Sequence, residues 1–273
     1  MRYTQRPQVW GVLNVTPDSF SDGGSYVDYS AAIAHAEDML AEGADVIDIG
    51  GESTRPGAER VEAEVEQERV LPLVEALVAR GATVSVDTMR ADTALRALEA
   101  GAQIINDVSG GLADEAMFGV MAQASCEVVL MHWRGHSAAM DDLAVYTDVV
   151  REVSNELDAR VDAARAAGIS GDRLILDPGL GFAKNSSHSW ELLAHIDELG
   201  ERGARVLVGA SRKRFVGAVL PEGHDVFERD APSAVLGVLL AEKGVWALRV
   251  HHVAAQVRAL DIWQALHRGG THG

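Results

Sequence analysis

The chain reads as an α/β protein, a single (β/α)8 TIM barrel with its chemistry at the C-terminal ends of the strands. Three observations lead there. Short apolar runs alternate with longer helical segments through eight units, each run stops on polar or glycine residues, and no linker, low-complexity tract or composition break interrupts the series. Eight βα units in about 250 residues are what closure of such a barrel requires. An open doubly wound sheet is the runner-up. It fits less well, because no Gly-x-Gly-x-x-Gly follows the first strand and the polar strand ends are spread over nearly all units.

Each element rests on a local signal. Val9–Leu13 is the first expected strand, followed by the polar loop Asn14–Gly24. A helix over Ser30–Glu42 has Ser30 as its N-cap and Gly43 just past its end. Strand Val46–Ile49 enters the loop Gly50–Gly57, and an acidic helix covers Glu62–Arg80. Strand Thr83–Val86 stops on Asp87, ahead of a helix over Asp92–Ala100. Gln103–Ile105 gives Asn106-Asp107 and then a helix over Asp114–Ala124. Val128–Met131 leads into the long loop His132–Asp142 and a helix over Thr147–Ala167. Leu174–Leu176 stops on Asp177, Pro178 and Gly179; it is too short for a buried helix and reads as a buried strand. A helix over Ser189–Glu201, strand Val206–Val208, the mostly irregular Lys213–Asp230 and a helix over Ala231–Glu242 follow. Strand Ala247–Val250 and a helix over Ala254–Leu266 complete the series, with 269–273 read as a disordered tail.

Composition narrows the function classes. At 273 residues and 47% hydrophobic content the chain can bury one large core. Its 24 Lys and Arg against 41 Asp and Glu, a net charge of −17, argue against nucleic acid or an anionic membrane as partner. A few local cations still suffice for an anionic substrate. The single cysteine, Cys126, excludes an intrachain disulfide and fits a reducing cytosol. Met1–Val9 has no apolar signal-peptide core, and no apolar run approaches the ~20 residues that span a bilayer. A soluble, cytoplasmic protein is expected.

Asp87, Asn106 and Asp177 fall at strand ends. Any one of them would ordinarily be a helix cap. Three in one barrel face a shared pocket, whose two carboxylates and amide suit a ligand edge rich in N–H donors, such as an aminopyrimidine, or alternatively a metal. Arg249 stands inside the apolar Ala-Leu-Arg-Val-His, where a charge must be paired or face a polar centre. Arg249 and His251, at i and i+2, share a face, a geometry for gripping phosphate or diphosphate. Arg55 and Lys213 also sit just beyond strand ends. The loops Asn14–Gly24 and Gly50–Gly57 are long for βα connections, and Phe20 in so polar a setting suggests closure over an apolar ligand. Met131 serves either as the floor for a flat ring or as core packing. Ser211 lacks the Gly-x-Ser-x-Gly context of a nucleophile.

These segments together resemble the dihydropteroate synthase family. The resemblance is carried by Asn-Val-Thr-Pro-Asp-Ser-Phe-Ser-Asp-Gly-Gly from Asn14, Gly-Gly-Glu-Ser-Thr-Arg-Pro-Gly from Gly50, Ser-Val-Asp-Thr from Ser85 and Ile-Asn-Asp-Val-Ser-Gly-Gly from Ile105. Leu-Asp-Pro-Gly-Leu-Gly-Phe-Ala-Lys from Leu176, Gly-Ala-Ser-Arg-Lys from Gly209 and Arg-Val-His from Arg249 extend it over essentially the whole chain. It implies condensation of 6-hydroxymethyl-7,8-dihydropterin diphosphate with 4-aminobenzoate to 7,8-dihydropteroate and diphosphate, in folate biosynthesis. By the same resemblance, Asp87, Asn106, Met131, Asp177, Gly209 and Lys213 bind the pterin, and Asn14, Arg55, Arg249 and His251 hold the diphosphate. Mg2+ sits near Asn14 and Asp22. Phe20, Thr54, Pro56, Phe182 and Ser211 shape the 4-aminobenzoate site, where sulfonamides compete. The catalytic charge handling falls to Arg55, Asp177, Lys213, Arg249 and His251, and a homodimer is expected.

Two positions depart from the family pattern: His252 stands where the family has Asp, and Arg214 follows Lys213 in place of a small residue. His252 should face away from Arg249. Three competing functions remain in view. A pterin-binding methyltransferase domain would need no diphosphate site, so Arg55, Arg249 and His251 argue against it. A catalytically silent pterin-binding paralogue would bind without releasing diphosphate. An aldolase-type barrel would want a lysine at a strand end inside an apolar segment.

Overall fold

The computed structural model describes residues 6–15, 25–52, 60–136, 142–201 and 203–269, with backbone alone for 25–28, 201 and 269. Eight parallel strands pair in chain order, β1 (Gln8–Asn14), β2 (Val46–Gly50), β3 (Val84–Asp87), β4 (Ile104–Asp107), β5 (Glu127–Met131), β6 (Leu174–Asp177), β7 (Arg205–Val208) and β8 (Ala247–Val250). The β8 strand pairs back onto β1, Val9 opposite Leu248 and Trp10 opposite Arg249, so the barrel closes. Helices α1 (Ser25–Ala41), α2 (Ala63–Ala79), α3 (Ala91–Glu99), α4 (Met117–Gln123) and α5 (Val149–Ala166) follow the first five strands. After β6 come α6 (Ser186–Ala194) and α7 (Asp197–Glu201), after β7 come α8 (Arg214–Gly217) and α9 (Asp230–Glu242), and α10 (Val253–Gly269) closes the chain. None of the helices among the described residues is long and apolar enough to cross a membrane.

Alternation along each strand sorts its residues into two cores. Trp10, Val46, Ile104, Val129, Ile175, Leu207 and Ala247 point inward and fill the lower barrel. Their neighbours, among them Val9, Ile47, Ile105, Val128, Leu176, Val206 and Leu248, point outward and pack against the helices. Trp10 is wholly buried and meets Trp246 edge-on, with ring centroids 6.1 Å apart at 77°. This dry plug forces any cavity to the upper end of the barrel, at the strand C-termini.

Several boundaries differ from the sequence expectation. The first helix begins at Ser25, a turn before Ser30. The expected Ser189–Glu201 helix starts earlier and divides in two after Ala194; the start is early because Asn185 is the cap, its side-chain oxygen accepting from the His188 amide at 2.9 Å, and Ser189 is then interior, its hydroxyl donating to the Asn185 carbonyl at 3.0 Å. Within the segment expected to be irregular lie α8 and a 3-10 turn, Val226–Arg229, capped by Asp225. Four residues are too few for a periodic signal, which is why neither was legible. The last helix reaches Gly269, and the remainder of the expected tail lies outside the described residues.

Leu207 is wholly buried in the lower barrel plug. Leu207→Ala is therefore expected to cost about 3 kcal/mol, read from urea denaturation, while pterin affinity stays within twofold because the plug lies below the site. An affinity loss much larger than that would show that the two layers are not separable.

Candidate active site

The site is the second inward layer. Moving two residues along each strand from the apolar plug changes its chemistry: Val46 gives way to Asp48, Ile104 to Asn106, Val129 to Met131, Ile175 to Asp177, Leu207 to Gly209 and Ala247 to Arg249. Asp87 ends β3 opposite Gly50 and Asn106. Polar side chains from five strands thus converge on one mouth, with Met131 as a buried apolar wall.

Arg249 organises one side. Its Nε donates to Asp48 Oδ2 at 2.5 Å and its Nη2 to Asp87 Oδ2 at 2.9 Å. Asp48, wholly buried, also accepts from Asn106 Nδ2 at 3.2 Å. Burial disfavours the Arg249 cation, but the Asp48 and Asp87 carboxylates more than offset it and raise its pKa. Burial pushes Asp87 up to about 7, against the pull of Arg249 and with help from the Asp48 charge. Asp48 was not among the residues singled out from sequence. Its signal was present, a carboxylate inside Val-Ile-Asp-Ile, and is the same signal that marked Arg249. The capping alternative for Asp87 does not hold, since α3 is led in by Arg90.

The opposite side is built on the turn after β6. Asp177 Oδ1 accepts from the Gly179 amide at 2.7 Å, and Lys213 Nζ donates to the Leu180 carbonyl at 2.5 Å and stands 5.0 Å from the centre of the Phe182 ring. A side chain on Gly209 would begin 3.8 Å from Asp177 Oδ2 and 3.9 Å from Lys213 Nζ, so glycine leaves that corner open to a ligand. Burial raises the Asp177 pKa, with Lys213 opposing. Burial likewise lowers Lys213 to about 8, with Asp177 opposing. Two non-glycine residues among those described adopt positive φ, Ala183 at 47° and Arg212 at 59°, each immediately before a lysine, buried Lys184 and half-buried Lys213. Left-handed backbone costs an L-residue about 1–2 kcal/mol, so the packing around both turns sustains that strain.

At the third corner, Ser211 and His251 meet. Ser211 Oγ accepts from the His251 amide at 3.2 Å and lies 3.2 Å from its Nδ1, which fixes the orientation of the ring. Burial, then the Arg249 and Arg212 charges, lower His251 to about 3 and leave it neutral. His252 is exposed and accepts from the Ala255 amide at 3.3 Å, capping α10. Asn14 ends β1 with Oδ1 3.6 Å from the point where a Cβ on Gly50 would lie, an oxygen donor at the mouth. Phe20, Asp22, Thr54, Arg55 and Pro56 lie outside the described residues. The second loop is nonetheless anchored at both flanks, because Arg90 donates to Glu52 at 2.6 Å and to Glu66 at 2.8 Å, and also to the Val61 carbonyl.

A closed parallel barrel with an acceptor-rich, cation-flanked mouth defines a small-molecule enzyme that takes a flat, donor-rich heterocycle. The family model described as pterin binding enzyme matches residues 10–251, and the chain belongs to that family. Within it, the similarity runs to the dihydropteroate synthases. The chain is 50% identical over 268 residues to the dihydropteroate synthase of Mycobacterium leprae (strain TN), covering 96% of this chain and 94% of the relative. The Xanthomonas albilineans dihydropteroate synthase with 4-aminobenzoic acid superposes with a TM-score of 0.90 at 45% identity, covering 97% of this chain and 94% of that one. The same organism's enzyme in complex with 7,8-dihydropteroate gives 0.87 at 42% identity, covering 97% and 95%.

The raised Asp87 pKa has a consequence for stability. The folded chain binds this proton up to about pH 7 and the unfolded chain only to about its ordinary 3.8, so Asp87 withdraws stability as pH rises through that window. Asp87→Asn cannot ionise. In the unliganded protein it should gain stability relative to the unmodified chain between pH 4 and 7, measured by denaturation midpoints across the range. A constant difference would place the Asp87 titration elsewhere.

Proposed function

We propose that this chain condenses 6-hydroxymethyl-7,8-dihydropterin diphosphate with 4-aminobenzoate, giving 7,8-dihydropteroate and diphosphate. The observation that carries this reading is the set of acceptors, buried Asn106 and Asp177 and half-buried Asp87, facing one mouth beside Arg249 and Lys213. The acceptors suit the N–H-rich edge of the pterin. Met131, Gly209 and Lys213 enclose its ring, and Lys213 lies near enough to Phe182 to join the pterin corner to the 4-aminobenzoate corner.

In the reaction the bond from the exocyclic methylene carbon to the diphosphate oxygen breaks, its electron pair leaving with the diphosphate. The methylene cation is stabilised by the electron-rich dihydropterin ring. The arylamine lone pair then forms the new C–N bond, and the nitrogen sheds its proton to diphosphate or water. Arg249, His251 and Arg55 hold the departing charge; Asp177 stabilises the cationic ring; Phe20, Thr54, Pro56, Phe182 and Ser211 orient the amine. No strong base is needed, because the attacking nitrogen becomes acidic only after attack. The Asn14 amide oxygen is a hard donor of the kind Mg2+ takes, and a carboxylate beside it would suffice as the protein's further share. We assign the ion to Asn14 and Asp22. Mg2+ supplies charge neutralisation for the leaving diphosphate.

We also place the enzyme in the cytoplasm, in keeping with a free, buried Cys126, and propose that it works as a homodimer. Val235 and Leu239 of α9 are 61% and 57% exposed, and Ile262 and Leu266 of α10 are each 73% exposed, a pair of apolar stripes at i, i+4 on two helices that pack together. Ile262→Asp with Leu266→Asp should yield monomer by light scattering; an unchanged mass, or a monomeric parent, would overturn the dimer.

Diphosphate release from the purified protein should require the pterin diphosphate, 4-aminobenzoate and Mg2+ together and should yield dihydropteroate. Arg249→Ala is expected to lower turnover at least a hundredfold with a much smaller effect on pterin affinity, and Asp177→Asn to weaken pterin binding at least tenfold. Pterin binding without diphosphate release would identify a silent paralogue. Sulfonamides are expected to compete with 4-aminobenzoate.

A further inference from the structure

Beneath the site lies a second buried lysine that none of the roles above employs. Lys184 ends the turn that begins at Asp177 and is 5% exposed. Its Nζ, whose pKa burial holds well below the ordinary lysine value, has three partners: His132 Nδ1 at 2.7 Å, the Gly179 carbonyl at 3.1 Å and the Phe182 carbonyl at 3.0 Å. With every donor committed inside the protein, Lys184 has none to offer a ligand. Its influence must pass through the turn it holds.

His132 grips that turn at both ends. Its backbone N–H donates to the Asp177 carbonyl at 2.9 Å, and its imidazole receives Lys184. Contact is close between them, since a Cβ on Gly179 would fall 2.2 Å from the His132 carbonyl oxygen. The other imidazole nitrogen, Nε2, lies 2.9 Å from Glu156 of α5, whose carboxylate also accepts from Arg134 Nε at 3.1 Å. Burial, with the Lys184 and Arg134 charges behind it, lowers His132 to about 4. The ring is therefore neutral, accepts at Nδ1 and donates from Nε2. The carbonyls of the turn are divided between two lysines, Gly179 and Phe182 to Lys184 from within and Leu180 to Lys213 at the mouth.

We propose that Lys184, seated on His132, is a positioning residue for the pterin site: by fixing the carbonyls of Gly179 and Phe182 it sets the turn in the one shape that presents the Gly179 amide to Asp177 and the Leu180 carbonyl and Phe182 ring to Lys213. This rests on the assignment of Asp177 and Lys213 to the pterin. Lys184 shapes their geometry without touching substrate.

The test is a double-mutant cycle on binding of 6-hydroxymethyl-7,8-dihydropterin diphosphate by calorimetry, with 4-aminobenzoate omitted. The four proteins are the unmodified chain, Lys184→Met, Lys213→Met and the double variant. Lys184→Met is expected to weaken binding at least tenfold alone but no more than twofold where Lys213 is already methionine. If Lys184→Met does not fold, Lys184→Gln, which keeps amide donors in the cavity, takes its place in the same cycle. Equal losses in both backgrounds, or no loss in either, would overturn the positioning role while leaving the pterin site intact. Failure of the unmodified chain to bind the pterin would overturn the functional reading and this role with it.

Discussion

A guanidinium inside a parallel barrel is the constraint on which the rest of the site depends. Moving an ion out of water costs several kcal/mol even after relaxation, and mutual attraction recovers this only where geometry and further hydrogen bonds are good. Arg249 meets that demand by reaching past β1 to Asp48 on β2 and Asp87 on β3, and Asp48 passes the contact on to Asn106 of β4. The chain of polar contacts exists because the barrel is closed, since β8 and β2 are neighbours only through the β1 seam. A well-packed apolar layer at the same height would cost no desolvation. What the polar layer provides is a preorganised set of acceptors and cations that does not have to be assembled when substrate arrives.

The other half of the mouth follows from the turn after β6. That turn bends through left-handed backbone at Gly179, Gly181 and Ala183. Such a path leaves carbonyl oxygens pointing away from any strand or helix partner, and two lysines take them up. One lysine stays inside and the other stands at the mouth, so the turn is both a structural element and a wall of the site. The same device recurs after β7, where Arg212 at positive φ delivers Lys213, and Arg212 is itself anchored by paired bonds to Asp230 at 2.6 and 2.8 Å.

The electrostatics reconcile a strongly acidic protein with an anionic substrate. A net charge of −17 repels nucleic acid at range, yet the field inside the mouth is set by Arg249, Lys213 and the carboxylates at bonding distance. Burial weakens the charge on both carboxylates and on Lys213, leaving Asp87 near 7 and Lys213 near 8. Groups so poised can adjust protonation as a charged leaving group comes and goes, and neutral His251 adds no further cation to a crowded site.

By itself the sequence determined the eight units and the strand that ends on each polar residue, and it pointed to Asp87, Asn106, Asp177, Lys213 and Arg249 as candidates for one site. Those conclusions needed only local signals, such as breakers after short apolar runs and a charge where the neighbours are apolar. Tertiary structure alone decided the pairings. Asp48 and Arg249 are 201 residues apart, and whether two charges meet depends on register and closure, which no window of sequence contains. Asp48 was overlooked for that reason, although its apolar flanks marked it as clearly as those of Arg249. Lys184 escaped notice because a lysine after a glycine-rich turn looks like a surface residue until three acceptors and a histidine are folded around it.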